Sequence, residues 1–227
     1  MFVDKLGEIK AIGFDIDGTL YRTWKLNIRV WPHVLCHLNF FLNYSKVRKI
    51  MHQTEGDSDF KNQQIRLMAE RLNKSVEETE LLLQKNVYSG MKKHFTKIRP
   101  CNGVVQLIKD LKQAGYKIAI LSDFPPEQKG DIWGIRDLCD VILGSEEAGA
   151  LKPANLPFKT MAQKLDIPAE NILYVGNSHK YDIDGSKAAG MKSAWLVLPL
   201  SGRFKKSDKA DIVFWSYKQL RKILLKK

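Results

Sequence analysis

The sequence predicts an α/β fold: a parallel-sheet core with an inserted α-helical domain. Three observations carry the prediction. Short apolar runs of strand length alternate with helical stretches of about a dozen residues, the pattern of βαβ units. Right after the first run this alternation is suspended. From about Trp24 to Phe95, apolar residues recur at helical spacing with almost no Gly or Pro. Finally, 227 residues, 44% of them hydrophobic, suffice for one core carrying a substantial insertion. The core is assigned to residues 1–21 and 97–227, the helical domain to 22–96.

Ala11–Asp17 (AIGFDID) is apolar and ends in carboxylates before Gly18-Thr19, which reads as a buried strand entering a turn. In the insertion, Val30, Val34, Leu38 and Phe41, then Ile65, Met68 and Leu72, then Val76 and Leu81–Leu83 mark three or four helices. Ser75 with Glu78 forms a capping box before the last of them. At Arg99-Pro100 the alternating texture returns. A helix over Asn102–Ala114 stops at Gly115, and Tyr116–Asp123 (YKIAILSD) is a strand ending in a polar pair. Strand Val141–Leu143, helix Leu156–Leu165 and strand Asn171–Gly176 follow. Helix Asp182–Ala189 stops at Gly190 and feeds strand Ser193–Leu198; strand Asp211–Trp215 precedes a basic helix, Tyr217–Leu225, read as a solvated edge.

Charge is the unusual bulk property: 37 Lys and Arg against 25 Asp and Glu give +12. Such a field favours anionic, phosphate-bearing ligands. The cations are scattered, with modest clusters at Lys205–Lys206 and Arg221–Lys227, and no basic motif is interleaved with aromatics, so nucleic acid is not expected as a partner. Cys36, Cys101 and Cys139 have no C-x-x-C pairing and are expected as buried thiols of a reducing compartment. The first ten residues lack a signal-peptide pattern, and the apolar run Ala194–Leu200 is too short to span a bilayer. The expectation is a cytoplasmic protein with no membrane partner.

In an open parallel sheet, ligands bind beyond the carboxyl ends of the strands. Asp15, Asp17, Ser122, Asp123, Lys152, Asn177 and Asp182 all fall there. Each has an ordinary alternative: a turn for Ser122-Asp123, a surface lysine for Lys152, a first-turn helix acid for Asp182. Together they form a constellation. Asp15 and Asp17, two residues apart, project from one face as the strand ends.

The order and local sequence of these groups resemble the haloacid dehalogenase superfamily of phosphohydrolases. Its four motifs are matched by Asp15-Ile16-Asp17-Gly18-Thr19-Leu20, Ile120-Leu121-Ser122-Asp123, Lys152-Pro153, and Gly176-Asn177-Ser178 through Asp182, Gly185, Ala189, Gly190 and Met191. The place of the helical insertion matches the family's C1-type cap. The resemblance implies a Rossmann-like core and a Mg²⁺-dependent phosphatase acting on a small phosphorylated metabolite. It makes Asp15 the nucleophile that forms an aspartyl-phosphate. Asp17 protonates the leaving oxygen and then activates water. Ser122 hydrogen-bonds a phosphate oxygen, and Lys152 neutralises charge on the nucleophile and the transferring group. The implied Mg²⁺ ligands are the Asp15 carboxylate, the Asp17 backbone carbonyl and the Asp182 carboxylate.

Asn177 departs from the family pattern, which places an acid after the glycine; Asp184 is a nearby but worse-placed substitute. Weaker Mg²⁺ affinity is expected, the alternative being a protein that binds ligand or partner without turnover. Asp17 argues against dehalogenation, because the dehalogenases lack that acid; a phosphomutase is compatible with the same core. Hinges are expected at Tyr21–Lys25 and Thr96–Pro100. Arg22, Trp24 and Lys25 are candidates to face substrate, although packing inside the cap is the expectation for Trp24 and Trp31. His33, His37, His52 and His94 are expected on helix surfaces or in the cap core, and His179 in an exposed loop near the fourth motif.

Overall fold

The computed structural model describes residues 6–56, 59–95, 97–197 and 207–225. Six strands, β1 (Ala11–Phe14), β2 (Lys117–Ser122), β3 (Val141–Gly144), β4 (Ile172–Gly176), β5 (Lys192–Leu196) and β6 (Ile212–Phe214), form one sheet in the order β3-β2-β1-β4-β5-β6. Every pairing is parallel. Between β1 and β2 the chain forms α1 (Thr23–Cys36), α2 (Leu38–Met51), α3 (Phe60–Leu72), α4 (Val76–Leu83) and α5 (Lys92–Phe95), then α6 (Val104–Gln113). After β3 comes α7 (Asn155–Leu165), after β4 the short α8 (Gly185–Ala188), and after β6 α9 (Tyr217–Leu224). This is the α/β architecture with a helical insertion that the alternation predicts.

The central strands are apolar throughout because helices cover both faces. Val104, Leu107, Ile108 and Leu111 of α6, with Leu220 and Leu224 of α9, pack on Ile12, Phe14, Ile118 and Ile120. Phe158, Met161 and Leu165 of α7 pack on Ala119, Leu121 and Tyr174 on the other side. The expected solvated C-terminal helix therefore buries one apolar face. The strand order reverses between β1 and β4, and such a switch point opens a crevice at the carboxyl ends of those two strands.

The insertion has its own core, Val47, Met51, Phe60, Ile65, Met68, Leu83 and Val87, which also takes in Leu151 from the loop after β3. A buried polar cluster ties it to the sheet domain. Arg48 of α2 pairs with Glu146, donates to the Asp123 carbonyl (3.0 Å) and to Gln64 Oε1 (3.1 Å), and lies over the Phe124 ring. Tyr88 donates to Glu146 (2.8 Å). With Glu146 as its counter-charge and three hydrogen bonds from its two Nη groups, the guanidinium tolerates burial.

Several sequence expectations need correction. Leu38, Val76 and Leu81 lie in helices as their spacing predicts but are exposed, because Phe40, Tyr44 and Val47 take the inner face of α2 and Leu83 that of α4. Trp24 and Trp31 do not pack inside the cap but stand 60% and 58% exposed. Cys36 is exposed and Cys101 and Cys139 are half-buried; all three are free thiols. The helix expected from Asp182 starts earlier, as a π-helical turn over His179–Asp184, because Ser178 caps it by accepting from the Tyr181 amide (3.1 Å). Among the described residues no helix is long and apolar enough to cross a membrane. Leu198, Leu200, Thr96, Lys205–Lys206 and both chain ends, named above, lie outside the described residues.

Candidate active site

The site grows from the turn after β1. Asp15 continues the strand, its amide bonded to the Val175 carbonyl (3.0 Å), and the chain then folds back as Leu20 N donates to Ile16 O (3.0 Å). Gly18 sits at φ +92, and a Cβ there would lie 2.6 Å from Asn177 Nδ2. Only glycine allows both the turn and this approach of the first motif to the fourth. Gly176 is constrained from the other side, since a Cβ on it would sit 2.2 Å from Asp182 Cβ.

Lys152 is the centre of the arrangement. Its ammonium lies 2.7 Å from Asp15 Oδ1, 2.8 Å from Asp182 Oδ1 and 3.3 Å from the Tyr174 hydroxyl, so each of its three hydrogens has an acceptor. Asp15, Asp182 and Lys152 are all almost fully buried. Asp182 Oδ2 accepts from the amides of Asn177 (3.1 Å) and Ser178 (2.9 Å), which fixes the loop after β4. Thr19 Oγ1 lies 2.8 Å from Asp15 Oδ2 and 3.0 Å from Asn177 Oδ1, its single hydrogen serving one at a time. Tyr217 of α9 donates to the Thr19 carbonyl (2.8 Å) and braces this turn from beneath.

Asp17 occupies a second pocket of charge. Lys129 Nζ lies 2.6 Å from its Oδ1, Tyr21 donates to the same oxygen, and Ser122 Oγ lies 3.2 Å from its Oδ2. Lys129 also rests 3.6 Å above the Phe95 ring centroid. Ser122 accepts from the Phe124 amide too (3.3 Å), so its turn role and its place in the site coexist. The Asp123 carboxylate accepts from the Lys152 amide (3.1 Å) rather than entering the site.

The electrostatics separate the two acids. Burial pushes the Asp15 carboxyl up to about 7, since Lys152 only partly offsets it and Asp182 and Asp17 add to it. Burial would likewise raise Asp17, but Lys129, with help from the Tyr21 hydroxyl, holds it below its ordinary value. Lys152 is held well above its ordinary value: burial opposes its charge, but Asp15 and Asp182 outweigh that. Burial pulls Lys129 down despite Asp17.

Sequence reasoning missed Lys129, Thr19, Tyr21, Tyr174 and Tyr217. Thr19 and Tyr21 were within reach, lying four residues after Asp15 and Asp17 in a tight turn. Lys129 was not: it ends a short 3₁₀ turn (Pro126–Lys129) in an irregular segment that Pro125, Pro126 and Gly130 keep from forming a regular helix. Removing its charge should be costly. Lys129→Met is expected to destabilise the protein by about 2–3 kcal/mol at pH 8, because Asp17 is left without its cation. In the wild type, the stability from ionised Asp17 is present above the ordinary carboxylate value and lost as pH falls through its depressed one. The gap between wild type and variant in denaturant midpoint should therefore hold down to the ordinary carboxylate value of 3.8 and narrow as pH falls below it; a gap that stays constant through that acid range would refute this account.

The remaining candidates lie elsewhere. Asp184 pairs with Lys209 (2.9 Å) and faces His179 (3.6 Å), away from Asp15. Lys25 reaches the Arg99 carbonyl (3.4 Å). Arg22 and Trp24, with Gly18, Thr23, Asn177 and Trp195, line an open pocket of ≈ 360 Å³ beside the first and fourth motifs. His52 of the insertion contacts the Lys152 carbonyl (2.6 Å) and stacks on Tyr181.

For a divalent cation, the donor chemistry is that of hard oxygens. Asp15 Oδ2 and Asn177 Oδ1 converge on Thr19 Oγ1, so one carboxylate and one amide carbonyl share a locus. Both oxygens of Asp182 are engaged by Lys152 and two amides. Among the described residues no group of three or more His, Cys, Asp or Glu is placed to hold a metal. The oxygens present fit a hydrated Mg²⁺, which commonly keeps several of its waters.

A buried carboxylate clasped by lysine at the switch point of a parallel sheet, under a helical insertion, defines a hydrolase of the α/β class. The chain belongs to the haloacid dehalogenase-like hydrolase family, whose description matches residues 12–196. It is 31% identical to the pyrophosphatase PpaX of Halalkalibacterium halodurans over 86% of both chains. To the glyceraldehyde 3-phosphate phosphatase of Methanothermobacter thermautotrophicus it is 29% identical, over 83% of this chain and 85% of that one. The HAD-hydrolase YfnB of Bacillus subtilis, solved bound to magnesium, shares the fold with a TM-score of 0.67 at 17% identity, covering 96% of this chain and 99% of that one.

Proposed function

We propose that the protein is a phosphatase that hydrolyses a small phosphorylated metabolite through an aspartyl-phosphate on Asp15. One observation carries this reading: Asp15 and Asp182 share the Lys152 ammonium, while Asp17, two residues on, has its own cation in Lys129. A carboxylate oxygen of Asp15 attacks phosphorus and the bond to the leaving oxygen breaks. Ser122 and Lys152 hold the charge that builds on the phosphoryl oxygens. Asp17 then takes a proton from water, whose oxygen attacks phosphorus and releases Asp15 with inorganic phosphate. In the first half Asp17 gives its proton to the leaving oxygen, which departs as the alcohol, and the carboxylate so formed, with Lys129 beside it, is the base that takes the proton from water in the second. The names of the curated relatives, both phosphatases, support the reaction class.

Mg²⁺ would be held by the Asp15 carboxylate, the Asp17 backbone carbonyl and the Asn177 side-chain carbonyl, with Asp182 supporting the site through Lys152 and the loop amides. When bound, it offsets the repulsion between the carboxylate and the phosphate.

Phosphate release from an aryl phosphate, with and without Mg²⁺, tests the proposal. A folded protein giving no metal-dependent release would replace it with a ligand-binding role on a hydrolase core. Asn177→Asp adds the missing charge next to Asp15. It is expected to lower the half-saturating Mg²⁺ concentration by about tenfold and to raise the rate at limiting metal, both read from the same assay. Unchanged Mg²⁺ dependence would remove Asn177 from the ligand set.

A further inference from the structure

The outer faces of α1 and α2 carry six large apolar side chains in the open: Trp24, Ile28, Trp31, Leu35, Leu38 and Leu42, each between 46% and 64% exposed. They follow one another at spacings of four and three residues in turn. That is the period of a seam that packs on another helix. The inward positions of the same helices are already used, Leu26 and Val30 on the sheet domain and Phe40 and Tyr44 in the core of the insertion. Among the described residues nothing within the chain covers the outer seam. It exposes on the order of 700 Å² of apolar surface, more than a monomer commonly leaves in water and near the ~800 Å² per partner that a stable interface buries.

The composition of the seam selects the occupant. Residues 30–45 contain no Lys, Arg, Asp or Glu. A charge-free centre around Trp31, with a second tryptophan, Trp24, at its edge, is the make-up of a protein interface core. A lipid-binding face would set cations beside the apolar stripe. Here the nearest, Lys25 and Arg29, reach to the Arg99 and Lys97 carbonyls (3.4 and 3.3 Å). A neutral stripe is also self-complementary, since a two-fold axis across it sets uncharged residues of two copies opposite one another without like-charge conflict. We propose that the protein forms a two-fold dimer in solution, in which the α1–α2 seam of one copy covers that of a second copy.

Sedimentation velocity of the full chain over a concentration series tests this. The wild type is expected at twice the chain mass of 26.0 kDa. Trp31→Asp and Leu35→Asp, both at exposed positions, should each weaken the dimer at least about a hundredfold, or roughly 3 kcal/mol, with circular dichroism unchanged. Leu81→Asp, at a still more exposed position but on α4, should leave the dimer intact. A wild type that stays monomeric at every concentration overturns the proposal, as does a dimer indifferent to both seam variants. A monomer that co-sediments with phosphatidylglycerol vesicles but not phosphatidylcholine vesicles overturns it in favour of a lipid surface.

Discussion

Asp15→Asn is expected to reduce phosphate release by at least about 10³-fold while making the folded protein less sensitive to rising pH. The loss follows from chemistry, because an amide oxygen is too poor a nucleophile to form the covalent intermediate. The stability effect follows from burial. The Asp15 carboxyl is pushed up to about 7 in the folded state, against an ordinary value of 3.8. The folded protein therefore binds this proton more tightly than the unfolded chain does. The stability it confers is fully present below the ordinary value and is lost as pH rises through about 7. Asparagine does not titrate, so the melting temperature of the variant relative to wild type should climb between pH 5 and pH 8. A relative melting temperature that stays flat or falls over that range would show that Asp15 is not held in its neutral form by burial.

Lys152→Met is expected to be the most destabilising single change in the site, by about 3–5 kcal/mol at neutral pH. It leaves two nearly fully buried carboxylates, Asp15 and Asp182, facing each other without the ammonium they share. It also strips the Tyr174 hydroxyl of a partner, although that hydroxyl still reaches the Leu121 carbonyl (3.1 Å). Activity should vanish with it. The double change Lys152→Met/Asp182→Asn removes one of the stranded charges and should recover part of the stability, so the two substitutions will not add. Equilibrium denaturation of the four proteins in this cycle checks it. Strict additivity would mean that Lys152 and Asp182 do not interact in the folded state.

The six strands were legible because a doubly covered strand has to be a short, continuous apolar run, and runs of that kind stand out between helical stretches. Asp15 and Asp17 were legible for the same reason, as carboxylates have no ordinary place at the end of such a run. The inner face of the insertion was harder to read. Its helices are apolar on more than one side, so periodicity marked helices through Leu38 and Val76 without fixing which face is inner, and residue type placed Trp24 and Trp31 within the cap. Which side faces in is settled by what the helix packs against, and that partner is distant in the sequence.

Fold class, strand positions and the turns that end the strands were thus determined by the sequence alone, since they depend on forces acting over a few residues: backbone pairing, turn geometry and local apolar content. The tertiary structure alone decided that Lys129 sits on Asp17 across 112 residues of chain, that Asp182 turns to Lys152 and the loop amides, and that Tyr217 braces Thr19. Charge pairing of that kind acts through space in a dry interior, and the residues it joins meet only after the sheet has brought their strands side by side.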